Sequence, residues 1–248
     1  MKRIKIIVPI PMDAAGVAKR AAQLPATLIH ANFQVEFAAV SWGAALGDSY
    51  YDTQLMDMSV FEAGLLAEQE GFDAVCIDTV SDSGLYALRS RLKIPVVGPG
   101  LASLHFALCL GHKFSILTMW DEWFALYTKI LKEYGLEQRC ASLRSIQTRP
   151  DLAELLAGKE EVVFKKLEAQ ARQAIEVDGA DVIVLGSTTM HQSADYLQSV
   201  LPVPVINPGQ VAYKMCEMML ELGVSHSKRA FPSPQMPNDA MVLARAGR

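Results

Sequence analysis

The chain has 248 residues, of which 51% are hydrophobic and 20% charged, with a formal net charge of −4. Enough apolar material is present for a sizeable core, arranged as one large domain or as two of about 120 residues. The acidic balance, without a Lys/Arg block, argues against a nucleic-acid partner, and no run of about 18 apolar residues is available to span a membrane.

The N-terminal "MKRIKIIVPIP" carries basic residues, but its apolar run stops at Pro9 and no small-residue cleavage site follows. Residues 4–10 therefore read as a first strand, continuously apolar like a strand buried on both faces, and not as a signal peptide. A strand is expected over 33–40, a helix over 59–70 stopped by Gly71, and a strand over 72–78. Helix 84–92, strand 94–98, helix 101–111 and strand 113–119 follow. The second half continues with helices 123–133 and 160–176, strand 180–186, helix 192–200, strand 203–207 and helix 210–222. Gly71, Gly111, Gly135 and Gly223 sit where helix C-terminal glycines belong. This alternation predicts an α/β fold with parallel sheets, flavodoxin-like and doubly wound. The four cysteines, Cys76, Cys109, Cys140 and Cys216, are scattered without metal-ligand spacing. No metal site is expected; reduced thiols in a cytoplasmic protein are.

Two segments repeat. "GFDAVCIDT" (71–79) and "GADVIVLGS" (179–187) superpose at a constant offset of 108, so that Asp73 meets Asp181 and Thr79 meets Ser187. "KIPVVGPGLA" (93–102) then faces "PVPVINPGQV" (202–211) at an offset of 109. The repeat predicts two similar lobes related by a pseudo-twofold, with a cleft between them. The expected boundaries are 1–97 plus 209–248 for the first lobe and 98–208 for the second. In an open parallel sheet, ligands bind beyond the carboxyl ends of the strands. Thr79 and Ser187 occupy that place, each just before a helix. "TVSDSG" and "STTMHQS" would expose hydroxyls and backbone N–H groups there, suited to a carboxylate or a developing enolate oxygen.

The chain resembles the aspartate/glutamate racemase superfamily, and within it the hydantoin racemase branch. The resemblance rests on "FDAVCIDTVSDSGLYALRSRLKIPVVGPG", on "GADVIVLGSTTM" with "LPVPVINPG", and on the closing "LELGVSHSKRAFPSP". It implies two α/β lobes with the active site between them, a homo-oligomer, and cofactor-free chemistry at a carbon next to a carboxyl or carbonyl. It also implies one cysteine per lobe, acting as base and acid on opposite faces of a small anionic or cyclic-amide substrate. Those cysteines align with Thr79 and Ser187, and neither is cysteine here. A thiol titrates near 8.5 and lower at a helix N-terminus, whereas an alcohol is far too weak an acid to serve alone as a base at carbon. Two-thiol racemisation therefore cannot run through these positions.

Other groups must supply the chemistry. Asp78 ends the first lobe's central strand and reads either as a base or as a turn cap. His191, four residues after Ser187, reads as a base, as an activator of Ser187, or as a solvated first-turn histidine. Thr79, Ser187, Thr188 and Thr189 are expected to bind the ligand through their hydroxyls, together with Ser81, Asp82, Ser83, Gly84 and Thr118. The leading reading is isomerase-type chemistry altered by loss of the cysteine pair. The alternatives are a hydrolase opening an imide or hydantoin-type ring with Ser187 and His191 or with Asp78, and a non-catalytic binder of small anions.

Overall fold

The structure, a computed structural model, describes residues 1–149 and 160–244, with the side chains of 160–162 excepted. Residues 150–159 and 245–248, which the sequence reading assigned to the second and first lobes, lie outside the described residues. The chain divides into two compact units, Met1–Gly98 with Ala212–Arg248, and Pro99–Val211.

The first unit is built on a four-stranded parallel sheet of β1 (Lys2–Val8), β2 (Phe33–Ala39), β3 (Ala74–Ile77) and β4 (Val96–Val97), in the order β2-β1-β3-β4. Ile4 pairs with Ala74 and Ile7 with Ile77. All four residues of β3 are buried, as a central strand covered on both faces requires. Its helices are α1 (Ala14–Ala21), α2 (Tyr50–Gly64) and α3 (Leu85–Arg91). α2 approaches β1 and α3 closely: a Cβ on Gly64 would stand 2.7 Å from Leu88 Cδ2 and 3.0 Å from Ile7 Cδ1.

The second unit repeats the topology with β5 (Phe114–Thr118), β6 (Cys140–Ser145), β7 (Val182–Leu185) and β8 (Val205–Ile206), in the order β6-β5-β7-β8. Phe114 pairs with Val182 and Leu117 with Leu185. Its helices are α4 (Pro99–Leu110), α5 (Phe124–Tyr134), α6 (Glu160–Glu176) and α7 (His191–Val200). Leu167 and Ala171 of α6 and Leu197 of α7 form its core with Ile183 and Leu185. α8 (Pro208–Leu222) begins beyond β8, and α9 (Asp239–Leu243) lies near the C-terminus.

Four elements differ from the sequence reading, one of them the five-residue α9, too short to carry a helical pattern. α1 was not expected: it has only eight residues, "AAGVAKRA", with a glycine among them and alanines and one valine as its apolar positions. Its signal is Asp13, whose carboxylate caps it by accepting from Gly16 N at 2.8 Å. α2 was expected over 59–70 but runs over 50–64; Ser49 starts it by accepting from Asp52 N at 3.1 Å. β6 was missed because an edge strand of mostly half-buried residues, "CASLRS", carries little hydrophobic pattern.

The closing segment packs on α3. Lys228 Nζ donates to the carbonyls of Arg89 and Ser90 at 2.7 and 2.9 Å, and His226 Nε2 lies 2.9 Å from Leu92 O. These are the carbonyls a helix C-terminus leaves without intrahelical partners, and a lysine is suited to meet them. Among the described residues, no helix is long and apolar enough to cross a membrane, and no group of three or more His, Cys, Asp or Glu is placed to hold a metal.

Candidate functional site

In the first unit the chain leaves the sheet after β3, where Asp78 N donates to Ile7 O at 2.9 Å. The Asp78 carboxylate is turned inward, 8% exposed. Its Oδ2 accepts from Arg20 Nη2 and, at 3.0 Å, from Arg20 Nε. Arg20, itself buried in the last turn of α1, also donates through Nη1 to Gln23 Oε1 at 2.5 Å. This ion pair is not legible in the sequence, because its partners lie 58 residues apart and α1 carries no strong helix signal. Burying two charges is costly unless they are paired with good geometry, so each of these residues requires the other. Asp78 is thus engaged in holding α1 to the strand end.

The next residues form a chain of hydroxyls. Thr79 Oγ1 lies 3.0 Å from Ser81 Oγ, which lies 2.9 Å from Ser83 Oγ. Thr79 and Ser81 are half-buried; Ser83 is 1% exposed, too deep to meet a ligand directly. Asp82 is buried and adopts a left-handed φ of +54°. A non-glycine residue in that conformation costs on the order of 1 kcal/mol or more. It also dictates its neighbour, since a Cβ on Gly98 would stand 2.4 Å from Asp82 Oδ1. Gly84, at φ +73°, begins α3, but its N–H is not left for an anion: it donates to Asp57 Oδ1 of α2 at 3.0 Å.

The second unit has the same frame. Gly186 N donates to Leu117 O at 2.8 Å, as Asp78 does to Ile7. A Cβ on Gly186 would stand 2.6 Å from the Tyr127 hydroxyl, which donates to Gly186 O at 2.8 Å and lies 2.9 Å from Thr118 Oγ1. Burial pushes the Tyr127 phenol well above its usual range, so it stays neutral. Thr118 is 0% exposed. It was expected to touch the ligand; instead its hydroxyl is spent on Tyr127 in the interior, because β5 is buried on both faces.

Ser187 caps the turn Thr188–Met190, accepting from Thr189 N at 3.2 Å and lying 2.7 Å from Thr189 Oγ1. Ser187 and Thr189 are half-buried, Thr188 is buried, and half-buried His191 is the first residue of α7. Both units therefore present a half-exposed hydroxyl pair at residues i and i+2 beyond the central strand: Thr79 with Ser81, and Ser187 with Thr189. One further polar residue escaped the sequence reading. Asn207, at the end of β8, accepts through Oδ1 from Gly209 N at 3.1 Å and Gln210 N at 3.4 Å. The repeat itself held the signal, since Asn207 stands where the first copy has Gly98.

The cysteines are placed elsewhere. Cys76 is buried in β3, and the neighbouring Cys216 thiol together with burial holds it well above the usual thiol range. Burial raises Cys140 to about 11. Thiols held protonated in this way are poor bases and nucleophiles.

Comparison with known proteins bears on this arrangement. The family described as Asp/Glu/Hydantoin racemase matches residues 15–216. A hydantoin racemase from Pseudomonas sp. (strain NS671) is 28% identical over 246 residues, 99% of this chain and 98% of that one. A second, from Rhizobium meliloti, is 33% identical over 179 residues, 69% of this chain and 72% of its own length. Among solved structures, an allantoin racemase from Klebsiella pneumoniae superposes with a TM-score of 0.86 at 28% identity, covering 96% of this chain and 95% of that one.

Proposed function

The chain belongs to the Asp/Glu/hydantoin racemase family, whose members are racemase/isomerase enzymes, and from that premise we propose a cofactor-independent reaction at a carbon next to a carbonyl in a small carboxylate, amino-acid or hydantoin-like compound. The observation that carries this reading is the pair of matching hydroxyl clusters, Thr79–Ser81 and Ser187–Thr189, at equivalent strand ends. The relatives are racemases of hydantoins and of allantoin, which points to a five-membered cyclic amide as the first compound to try.

Removing a proton from such a carbon builds negative charge on the adjacent carbonyl oxygen. Fixed hydroxyl donors aimed at that oxygen stabilise the charge without reorganising during the reaction. Hydroxyls cannot themselves take the proton from carbon, so a separate base is required. His191 is our choice: it opens α7 four residues beyond Ser187 and is half-buried. An imidazole changes charge in the neutral range, which suits proton transfer there. Asp78 is the weaker choice because Arg20 already engages its carboxylate.

The test follows 5-substituted hydantoins, allantoin and small dicarboxylates by proton NMR in heavy water. The expected outcome is loss of the signal of the hydrogen next to the carbonyl, with activity rising through the range where an imidazole loses its proton. His191→Asn should abolish that rise with the fold intact. The double change Thr79→Cys and Ser187→Cys, which puts a thiol at each strand end, should accelerate exchange. A ring-opened product without exchange would instead make the protein a hydrolase. Rapid exchange that survives His191→Asn would assign the base to another residue.

A further inference from the structure

We propose that the outer edge of the second unit carries a further small-molecule site, separate from the hydroxyl clusters and suited to a zwitterion with an apolar body, such as a free α-amino acid. The site stands independently of the reaction proposed above.

A cavity of about 600 Å3 opens at the end of β6, with Leu143, Arg144 and Ser145 among its lining residues. Successive strand side chains point to opposite faces, so a cavity lined by consecutive ones lies across the edge of the strand. β6 is the outermost strand in the order β6-β5-β7-β8, and β5 separates it from β7, the strand that leads to Ser187 and Thr189. Phe124 at the start of α5 and Lys166 and Gln170 of α6 complete the walls. The volume is that of a small-molecule site, about 300–1,000 Å3. An edge strand also presents backbone N–H and C=O groups that no neighbouring strand takes up.

The charges around the cavity divide into those already answered and those left to act. Arg144 is answered: its Nε and Nη2 donate to Asp178 at 2.5 and 3.0 Å, and its Nη1 to Gln170 Oε1 at 3.2 Å. Asp121 is engaged through one oxygen. Its Oδ1 accepts from Ser145 Oγ, which in turn accepts from Gln147 N at 3.1 Å. This relay fixes the carboxylate in place while the residue remains exposed. Lys166, contributed by α6, is exposed and forms no ion pair among the described residues. An anchored carboxylate and a cation on one cavity suit a ligand that bears both an ammonium and a carboxylate; a simple anion or cation would leave one of them unmatched. Phe124, Leu143 and Ile146 add apolar surface, which suits an aliphatic side chain and not a bare ion. Gln147 also lines the cavity, at a left-handed φ of +52°. Few residues other than glycine hold that conformation, and those that do collect at ligand clamps and active sites.

The experiment titrates the full chain with L-leucine, with N-acetyl-L-leucine, which lacks the ammonium, and with L-leucinamide, which lacks the carboxylate. Calorimetry and saturation-transfer NMR are run on the wild type, Asp121→Asn and Lys166→Met. The wild type should bind L-leucine more tightly than either derivative. Each variant should weaken L-leucine about fivefold, the size of one partly exposed charge pair. Asp121→Asn should leave N-acetyl-L-leucine unaffected and Lys166→Met should leave L-leucinamide unaffected, a crossed pattern that a general loss of structure does not produce. Thermal denaturation checks folding; should Asp121→Asn not fold, Lys166→Met on the surface of α6 supplies its half of the pattern. Hydrogen exchange on a 5-substituted hydantoin should be the same in both variants as in the wild type. A wild type that does not bind L-leucine, that binds all three compounds equally, or whose L-leucine affinity survives both substitutions would overturn the site and leave the proposed function standing. A wild type that binds L-leucine in the crossed pattern yet exchanges no hydantoin hydrogen would keep the site and remove that function.

Discussion

The two units share one backbone frame and complete it with opposite chemistry. Beyond the central strand of the first, Asp78 and Arg20 form a buried ion pair. At the same point in the second, Gly186 makes room for the Tyr127 hydroxyl, and Tyr127 and Thr118 satisfy each other without charge. One layer further, Asp82 occupies the space over Gly98, whereas the second unit places Met190 and Asn207 at the corresponding positions. The hydroxyl pair is common to both. The difference teaches that the duplicated strand end fixes where a hydroxyl pair is presented, while the layer beneath it can be an ion pair or a neutral hydrogen-bonded pair.

The largest effect should come from breaking the charged half. Arg20→Met leaves Asp78 buried without its guanidinium and should cost about 3–5 kcal/mol in urea unfolding. Adding Asp78→Leu should recover most of that loss, since an apolar pair of similar volume often matches a buried ion pair. A single variant as stable as the wild type would show that α1 is not held through this pair.

The neutral half should yield to volume instead. Gly186→Ala drives a methyl against the Tyr127 hydroxyl and should cost about 1–3 kcal/mol, as overpacking does. Tyr127→Phe removes the clashing atom, so the double variant should lose less than the sum of the two single losses in a mutant cycle. Strict additivity would mean that the phenol does not set the glycine. Gly98→Ala should be similarly costly in the first unit, and Asp82→Gly should relieve it by removing the opposing carboxylate.

The smallest effect tests what the units share. Burial alone would raise the Asp73 carboxyl, but hydrogen bonds from Lys2 Nζ and Arg3 N outweigh it and hold the group below its usual range. The N–H groups of His112 and Lys113 do the same for Asp181. A carboxyl depressed in the folded state contributes stability above its unfolded value, about 3.9, and loses that contribution as pH falls through the folded value. Both strand starts should therefore weaken only below about pH 4. Asp181→Asn should cost less than about 1 kcal/mol at pH 7 and flatten the acid limb of the stability curve. An unchanged acid limb would remove this contact from the common frame.

By itself, the sequence determined the α/β alternation, the repeat, the buried central strands and the delivery of hydroxyls to two equivalent strand ends. Each of these is encoded in local periodicity and in glycines at chain reversals, so seven of the eight strands among the described residues were legible. Only the tertiary structure decided which polar groups are consumed internally. Arg20 reaches Asp78 across 58 residues of chain, Asp57 takes the N–H of Gly84, and Tyr127 takes Thr118. No local pattern records such partners, because a buried polar group is satisfied by whatever packing brings within about 3 Å, however far away in the chain. The same reason separates Thr79, Ser81, Ser187 and Thr189, which remain half-exposed, from Ser83 and Thr118, which look alike in the sequence and are buried in the fold.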